Sequence, residues 1–378
     1  MTQKVKLSDL FKIGSSKRVL KAQWQTSGVP FYRGREITKL SQNGYVDNDL
    51  FITEELYAEY SEKYGVPSAG DIVITAIGTI GNSYIVRDED RFYFKDASVL
   101  WLKRTSDVES RYINLWLKSS LMKEQLDEGN GATVDTLTIK KLQGLTVDLP
   151  STSEQKRIVA LLDTVFADLE QTRAKTEQNL KNARELFDSY LQQVFSQKGE
   201  GWVEKKLIEV CVLQRGFDLP KRLRSKGKYP LVSSSGITDT HVEAKVTGPG
   251  VVTGRSGSIG NVYYIKEDFW PLNTALYIKE FHGNNEKFIS WLLRYFDLSR
   301  FTSGAGVPTL NRNFVHNELV NIPVSVDEQF RLVAEIENLQ YEVDKVIAIY
   351  KKKLVAIDEL KKSILQKAFS GELTATTD

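Results

Sequence analysis

The feature that most constrains the fold of this chain is an internal repeat. Residues 154–196 and residues 328–370 align without a gap at a constant offset of 174 residues. Each copy opens with the pattern Glu-Gln-x-Arg-Ile/Leu-Val-Ala, and each closes with Gln-x-x-Phe-Ser. Because the two segments share both their ends and their length, the sequence predicts a duplicated element.

The spacing of apolar residues predicts that each copy forms one uninterrupted helix. Apolar positions recur at alternating steps of three and four residues, which is typical of a coiled-coil seam. Each copy also contains two consecutive steps of four, a stutter that locally unwinds the coil, and the second copy includes Val346 in this seam. Neither copy has Pro or Gly in its interior, and Ser153 and Asp327 are predicted as the N-caps.

Helices of this kind are far longer than ordinary core helices. At about 1.5 Å per residue, some 43 residues form a rod of roughly 65 Å. Two rods of equal length with a shared stutter are natural partners for each other, so we expect them to pack side by side within one chain. The alternative is that each rod pairs with another copy of the chain or with another protein.

The composition narrows the class of protein. The 378 residues suggest two or three domains, and 41% hydrophobic with 26% charged residues is typical of a soluble globular protein. One cysteine, Cys211, and three scattered histidines exclude a disulfide framework and leave no cluster of metal ligands. The sequence starts without an apolar signal region and has no run of 18 apolar residues. We expect a cytoplasmic protein with no bound metal and no membrane partner.

The segments that precede the two helices also repeat. The first segment carries 21 extra residues, which contain an acidic stretch that is typical of a solvated helix face. The matching pairs are residues 6–10 with 206–210, Ile37-Thr38 with Ile237-Thr238, and residues 78–82 with 257–261. In the first segment the sequence predicts strands at 70–75, 83–86, 99–102 and one ending at 149, a helix from about 112 to 126, and a Gly-rich loop at 129–131.

Charge is segregated along the chain although the net charge is only +2. Between Lys12 and Lys39 there are seven basic residues and one acidic residue, with aromatic residues interleaved. A second set of basic residues lies at the corresponding place, between Arg215 and Lys228. The position of the basic stretch is therefore retained while its residues differ.

The two homologous domains share a scaffold but present different polar residues at the same place in it. This pattern favours the recognition of two different versions of one kind of ligand. Lys and Arg hold the phosphates of duplex DNA, while Arg, Asn and Gln bond base edges in the major groove. For any single residue the alternative is a solvated surface charge. The candidates in the first domain are Lys17, Arg18, Lys21, Arg33, Arg35, Lys39, Gln42 and Asn43. The candidates in the second domain are Arg215, Lys221, Arg222, Arg224, Lys226, Ser233, Ser234, Ser235, Arg255 and Asn261.

The order domain, long helix, domain, long helix resembles the DNA specificity subunit of type I restriction-modification systems. The helix-opening and helix-closing patterns and a Gly-Ser/Thr-Ile-Gly loop in each domain carry this resemblance, which covers essentially the whole chain. The helix opening is the most specific element. The Gly-x-Ile-Gly loop alone is also typical of a hairpin turn.

The resemblance implies that the two domains and the two long helices have different functions. In that family each variable domain recognises one half of a split DNA sequence, and the two long helices pack antiparallel as a spacer. The implied partners are double-stranded DNA, two methyltransferase (modification) subunits and restriction subunits that cleave DNA. S-adenosylmethionine is implied on the methyltransferase partner, with no cofactor on this chain.

Motifs expected of a chain that is an enzyme by itself are missing from the sequence. No Pro is followed by a second Pro, as an amino-methyltransferase site requires, or by Asp, as a nuclease of the Pro-Asp type requires. The phosphate loop Gly-x-x-x-x-Gly-Lys-Ser/Thr is also missing. We expect a non-catalytic subunit without catalytic residues. The competing hypothesis is a coiled-coil scaffold with two protein-binding domains, which leaves the paired basic stretches unexplained.

We expect an α+β fold in which two homologous mixed α/β target-recognition domains attach to two long antiparallel coiled-coil helices with internal pseudo-two-fold symmetry. The expected segments are target-recognition domain 1 at 1–152, spacer helix 1 at 153–198, target-recognition domain 2 at 199–324, spacer helix 2 at 325–371 and a tail at 372–378.

Overall fold

The computed structural model describes residues 2–127, 136–303 and 308–372. The chain divides into two compact units, which are called here the first unit (Met1–Lys175 with Lys353–Asp378) and the second unit (Thr176–Lys352). The Gly-rich loop predicted at 129–131 and the tail after residue 372 lie outside the described residues. The predicted domain limits stay predictions.

The elements up to residue 195 alternate short strands with helices before one long helix. In chain order they are β1 (Gln3–Lys6), α1 (Leu7–Leu10), β2 (Phe11–Gly14), the 3₁₀ helix η1 (Lys21–Gln23), β3 (Val29–Tyr32), α2 (Gly34–Asn43), β4 (Phe51–Ile52), α3 (Glu54–Tyr64), β5 (Ile72–Thr75), β6 (Ser83–Ile85), β7 (Tyr93–Phe94), β8 (Val99–Arg104), α4 (Ser110–Leu117), α5 (Ser120–Asp127), α6 (Ile139–Gly144), β9 (Thr146–Leu149) and α7 (Thr152–Phe195).

The elements after residue 195 follow the same plan with fewer helices. In chain order they are β10 (Trp202–Lys206), α8 (Leu207–Val210), β11 (Val212–Arg215), η2 (Lys221–Leu223), β12 (Tyr229–Ser233), β13 (Gly236–His241), β14 (Gly250–Gly254), β15 (Val262–Ile265), β16 (Trp270–Pro271), β17 (Ala275–Glu280), α9 (Glu286–Tyr295), η3 (Leu298–Phe301), β18 (Thr302–Ser303), β19 (Thr309–Leu310), α10 (Arg312–Asn317), β20 (Leu319–Pro323) and α11 (Val326–Phe369).

The sheets confirm the prediction of two homologous mixed domains. The order β2-β8-β5-β6 of the first unit matches β11-β17-β14-β15 of the second, and β4-β3-β7 matches β13-β12-β16. The antiparallel pair β1-β9 likewise matches β10-β20. Strand register then fixes which residues are equivalent. The equivalent triples are Gly14–Trp101–Val73 and Gln214–Tyr277–Val252.

The sequence match of the two Ile-Thr pairs is not a structural equivalence. Ile37 is fully buried in helix α2, whereas Ile237 is 59% exposed in strand β13. Gly236 has a φ of +96° and pairs with Ser233, so a tight hairpin starts there. Glu36 occupies the position of Gly236, where a side chain disfavours positive φ, and the chain forms a helix instead.

The helix predicted from about residue 112 to residue 126 is interrupted. Helices α4 and α5 are separated at Lys118, whose backbone N–H bonds the carbonyl of Leu115. The buried Ser119 donates its hydroxyl to the carbonyl of Trp116 at 2.6 Å. These local bonds end α4 because they satisfy its last carbonyl groups outside the helical ladder.

The two long helices are each 44 residues and begin earlier than predicted. The backbone N–H of Gln155 bonds the carbonyl of Ser151, and that of Gln329 bonds the carbonyl of Ser325. The predicted caps at Ser153 and Asp327 are therefore wrong by two residues. Strand pairing ends at Leu149 in the first unit and at Pro323 in the second, where Val324 makes one further bond to Gly201, and each helix begins directly after the next serine.

The repeated Glu-Gln opening fixes each long helix to its own domain. The buried Gln155 accepts the N–H of Glu109 at 2.9 Å and donates to the proline carbonyl that precedes the helix at 2.8 Å. Gln329 makes the equivalent bonds, to the N–H of Asn285 at 2.8 Å and to its own preceding proline carbonyl at 3.3 Å. The motif therefore satisfies buried backbone groups at the start of α4 and of α9.

Within the first unit the ends of the two long helices run antiparallel. Lys361 forms an ion pair with Glu170 at 2.8 Å, and Arg173 of α7 bonds Asp358 of α11. Residue numbers therefore increase along α7 in the direction in which they decrease along α11. Nearby, Leu162 of α7 is fully buried in the hydrophobic core of this unit.

Within the second unit the end of α7 meets the start of α11. Tyr190 donates to Glu335 at 3.1 Å, and Ile336 is fully buried in the core. The predicted seam is wrong at Val346, which is 38% exposed, whereas Ile347 packs on the core. The two consecutive steps of four therefore occur two steps earlier in α11 than the sequence pattern indicated.

Candidate nucleic-acid interface

Three segments of the first unit meet at the loop of residues 95–98, which is called here the β7–β8 loop. Ser15, after β2, donates to the carbonyl of Val99 at 3.0 Å. The carbonyl of Tyr32, at the end of β3, accepts the N–H of Lys95 at 2.8 Å. After β5, the N–H of Ala76 bonds the carbonyl of Ser98 at 2.9 Å. The residues that follow β2, β3 and β5 are thereby gathered at one place.

The second unit repeats this arrangement at residues 272–274, the β16–β17 loop. The N–H of Gly216, after β11, bonds the carbonyl of Ala275 at 3.0 Å. After β12, the N–H of Ser234 bonds the hydroxyl of Thr274 at 3.4 Å. The N–H of Arg255, after β14, bonds the carbonyl of Thr274 at 2.9 Å. Each unit therefore gathers the same three segments.

The Gly-x-Ile-Gly loops have one conformation in both units. The two glycines of the first loop have φ values of +78° at Gly78 and +91° at Gly81. The values in the second loop are +83° at Gly257 and +90° at Gly260. Since L side chains disfavour this region, the pattern encodes the turn itself. The loop is therefore part of the scaffold that the two units share.

The structure places the candidates Arg33 and Arg35 in an ionic network. Both guanidinium groups bond the buried carboxylate of Glu36, at 2.7–3.1 Å, and both bond Asp49 at 2.9 Å. Burial raises the pKa of Glu36, but the hydrogen bonds from Arg33 and Arg35 outweigh it and hold that pKa below its usual value. Part of the predicted positive charge is thus neutralised within the protein.

The candidates Arg215 and Arg255 are linked by a different network in the second unit. Arg215 bonds Asp218 at 3.3 Å, and Asp218 accepts the side-chain amide of Asn273. The carbonyl of Asn273 accepts from Arg255 at 3.3 Å. Ser234 is held at the same loop by the bond of its backbone N–H to Thr274. Three of the predicted residues, Arg215, Arg255 and Ser234, are thus brought together. Ser233 and Ser235 bond each other through their hydroxyl groups at 3.0 Å, and Asn261 directly precedes β15.

Four further second-domain candidates form a separate group at the other end of β12. Arg224 donates to the carbonyl of Leu219 at 3.2 Å, and the next N–H, of Ser225, bonds His241 at 3.1 Å. His241 pairs with Tyr229, the first residue of β12. This group comprises Lys221, Arg222, Arg224 and Lys226.

The other first-domain candidates have exposed side chains. Lys17 lies over the ring of Tyr64 at 5.7 Å from its centroid, and its backbone N–H bonds Tyr93 at 3.0 Å. The exposed residues are Lys17, Arg18, Lys21, Lys39, Gln42 and Asn43. They are available to a large polyanion.

Sequence reasoning missed Asp49, Asp218 and Asn273. Asp218 follows Arg215 by three residues, which gave a local hint of an ion pair. Asn273 lies 55 residues from Asp218, and only the folded sheet brings the two together. No pattern in the sequence signals that contact.

The histidines and the cysteine serve the fold. His316 accepts the N–H of Leu213 at 2.9 Å, and burial lowers its pKa. Burial raises the pKa of Cys211 to about 12, so the thiol stays protonated and unreactive at neutral pH. Among residues 2–127, 136–303 and 308–372, no group of His, Cys, Asp and Glu is arranged to hold a metal ion. Within this described part of the chain, no helix is both long enough and apolar enough to cross a membrane.

Comparison with known proteins identifies relatives over nearly the whole chain. The family model of the type I restriction modification DNA specificity domain matches residues 2–180 and residues 199–367. A type I restriction enzyme specificity subunit of Haemophilus influenzae is 32% identical over 164 residues, 43% of this chain and 40% of that protein. The EcoDI specificity subunit of Escherichia coli is 26% identical over 69% of both chains.

Solved structures share the fold. A chain from a structure of type I R-M system assembly superposes with a TM-score of 0.77 at 15% identity, covering 97% of both chains. The HsdS subunit from Thermoanaerobacter tengcongensis superposes with a TM-score of 0.65 at 16% identity, covering 98% of this chain and 97% of that one. The architecture of two domains and two long helices is therefore a known one.

Proposed function

Because the chain belongs to the family of type I restriction-modification DNA specificity proteins, we propose that it selects the DNA sequence on which such a complex acts. Each domain reads one half of a bipartite target in duplex DNA. The two long helices set the gap between the halves and dock the modification subunits. The chain itself catalyses no reaction.

One observation carries this proposal. The two units gather the same three segments at equivalent loops, but equivalent positions bear different polar residues, such as Arg33 after β3 in one unit and Ser233 at the end of β12 in the other. A shared scaffold with exchanged hydrogen-bonding groups suits two readings of one polymer. A binding surface for one protein partner would not require that exchange.

The proposed partners follow from the family to which the chain belongs. Two methyltransferase subunits supply the chemistry and bind S-adenosylmethionine, and restriction subunits join them to cleave DNA. The complex acts in the cytoplasm, where its DNA lies. The basic side chains near the β7–β8 and β16–β17 loops hold phosphates in register while a few groups bond base edges.

Equilibrium binding to a library of random duplexes tests the proposal. We expect the full-length chain, alone or with its modification subunits, to enrich a motif with two specified halves and an unspecified gap. Affinity should fall linearly on a log–log plot as salt rises, because phosphate contacts release counterions. Salt-insensitive binding without base preference would contradict the proposal and favour a protein scaffold.

The helices provide a second test, of the gap alone. Inserting seven residues into both helices, after Leu180 and after Leu354, preserves the seam and adds about 10 Å. That length corresponds to roughly three base pairs of duplex. We expect selected targets to keep both specified halves and to acquire a longer gap. An unchanged gap would mean that the helices do not set the spacing.

A further inference from the structure

The second unit contains a continuous chain of contacts between two arginines on neighbouring segments. Arg215 uses its Nη2 atom to bond both carboxylate oxygens of Asp218, at 3.3 and 3.4 Å. Asp218 accepts the side-chain amide of Asn273, and the carbonyl of Asn273 accepts from Arg255 Nη1 at 3.3 Å. The side chains of Arg215 and Asp218 are 50% and 67% exposed, so a ligand can reach them.

Strand register shows that the first unit carries different residues at these places. Arg215 follows the residue that pairs with Tyr277, and its equivalent in the first unit is Ser15. Arg255 directly follows β14, and its equivalent after β5 is Ala76. The arginines of the second unit therefore stand where the first unit has a small residue.

The exchange runs in the opposite direction after the central strand of the three-stranded sheet. There the first unit has Arg33 and Arg35, held by Asp49, and the second unit has Ser233 and Ser235. The arginines of the first unit therefore follow a strand of the three-stranded sheet, whereas those of the second unit lie at the ends of β11 and β14 in the four-stranded sheet. In the first unit a carboxylate from another segment, Asp49, holds the arginines, whereas in the second unit the nearby Asp218 holds Arg215 and the main-chain carbonyl of Asn273 holds Arg255.

Resting on the proposed function, we propose that Arg215, Asp218, Asn273 and Arg255 together read a G·C base pair in one half of the DNA target, with Asp218 and Asn273 as positioning residues. Arginine donates to guanine O6 and N7 in the major groove, and these contacts distinguish G·C from the other base pairs. The acceptors Asp218 and Asn273 fix the guanidinium groups before DNA arrives. Less side-chain entropy is then lost on binding.

The network gives Asp218 a role that its exposure alone would not suggest. An exposed ion pair contributes little to folding stability, so removal of the carboxylate should leave the fold intact. Its removal should nevertheless free the Arg215 side chain to adopt other rotamers. The consequence should appear in base discrimination at one position, and not in thermal stability.

The test compares base preferences of the full-length chain and three variants, selected on random duplexes. We expect Asp218→Asn and Arg215→Ala to reduce the preference for G·C at one position of one half-site by about 10-fold. All positions of the other half-site should change by less than about twofold, and Asp218→Glu should restore discrimination in part. The matched control is Glu267→Gln, an exposed carboxylate outside the network, which should change nothing.

The outcomes separate this inference from the proposed function. If the unaltered chain selects a bipartite motif and Asp218→Asn leaves every position unchanged, the positioning role is wrong and the proposed function stands. Equal loss in both half-sites would also contradict the inference. If the unaltered chain shows no base preference, the proposed function itself fails.

Discussion

The two units of this chain agree where they build the scaffold and disagree where they meet solvent at the β7–β8 and β16–β17 loops. Gln155 and Gln329 make the same pair of buried hydrogen bonds at the start of their helices. In contrast, Arg33 and Arg35 of the first unit stand where the second unit has serines. The two units therefore share the geometry of these loops but present different groups beside them.

The comparison teaches that strand ends near these loops are among the places where the two units differ in chemistry although their scaffolds agree. A buried contact is costly to change because its partner is left unsatisfied. An exposed strand end tolerates substitution of its side chains, since water can bond any polar group that loses its partner. The same fold can therefore carry two unrelated hydrogen-bonding surfaces.

The largest expected effect concerns the cores, where the units should respond alike. Leu162 and Ile336 occupy the same helical position and are fully buried. We expect Leu162→Ala and Ile336→Ala each to lower the free energy of unfolding by about 2–5 kcal/mol in urea denaturation. The exposed neighbour Leu161→Ala should change it by less than about 0.5 kcal/mol. A large loss for only one of the two core variants would break the equivalence of the units.

A smaller loss is expected at the helix openings. Gln155→Ala and Gln329→Ala orphan equivalent buried backbone groups, so each should lower the free energy of unfolding by about 1–3 kcal/mol. Hydrogen exchange should accelerate at the N–H of Glu109 in the first variant and of Asn285 in the second. The control is Gln178→Ala, whose exposed amide bonds only Asn182. Unchanged exchange at both sites would show that the motif is not structural.

The next prediction is a pH dependence of local stability that we expect in the first unit and not in the second. Burial raises the pKa of Glu36, and the bonds from Arg33 and Arg35 hold it below 4.5 on balance. A group with a depressed folded pKa stabilises the fold above its unfolded pKa, and that contribution is lost as the pH falls through the folded pKa. Helix α2 should therefore lose exchange protection below about pH 4.5, after correction for intrinsic rates. Strand β13, which has Gly236 at the equivalent position, lacks this response.

The variant Glu36→Gln checks this assignment. It removes the titrating group, so the acid-dependent loss of protection in α2 should disappear and protection at neutral pH should fall. An α2 segment that opens over the same pH range in both forms would show that another group titrates.

The sequence was sufficient to predict the architecture because helical spacing and apolar runs are repeated signals. The seam positions Leu162 and Ile336 follow from spacing alone, and strands β5, β6 and β8 lie where short apolar runs predicted them. Two adjacent apolar residues fit the helical spacing about equally well. The pattern therefore predicted Val346 in the seam, whereas Ile347 packs on the core. Propensity could not separate the two, because both are β-branched.

The candidate site was predictable in part. The sequence identified Arg215 and Arg255, but it could not pair them, because Asp218 and Asn273 connect only through the folded sheet. Identical Ile-Thr pairs form a helix in one unit and a strand in the other, since the residue before each pair, and not the pair itself, sets the backbone. Contacts between distant segments have no local signature.

The central claim is that each unit reads its own half of the DNA target, and one measurement tests it most directly. Base preferences are determined on random duplexes for the unaltered chain, for Arg35→Ala in the first unit and for Arg215→Ala in the second. We expect each variant to lose about 1–3 kcal/mol of discrimination at positions in one half-site only, with different halves affected by the two variants. Changes in the same half-site, or a uniform loss of affinity with every base preference retained in both variants, would contradict the account.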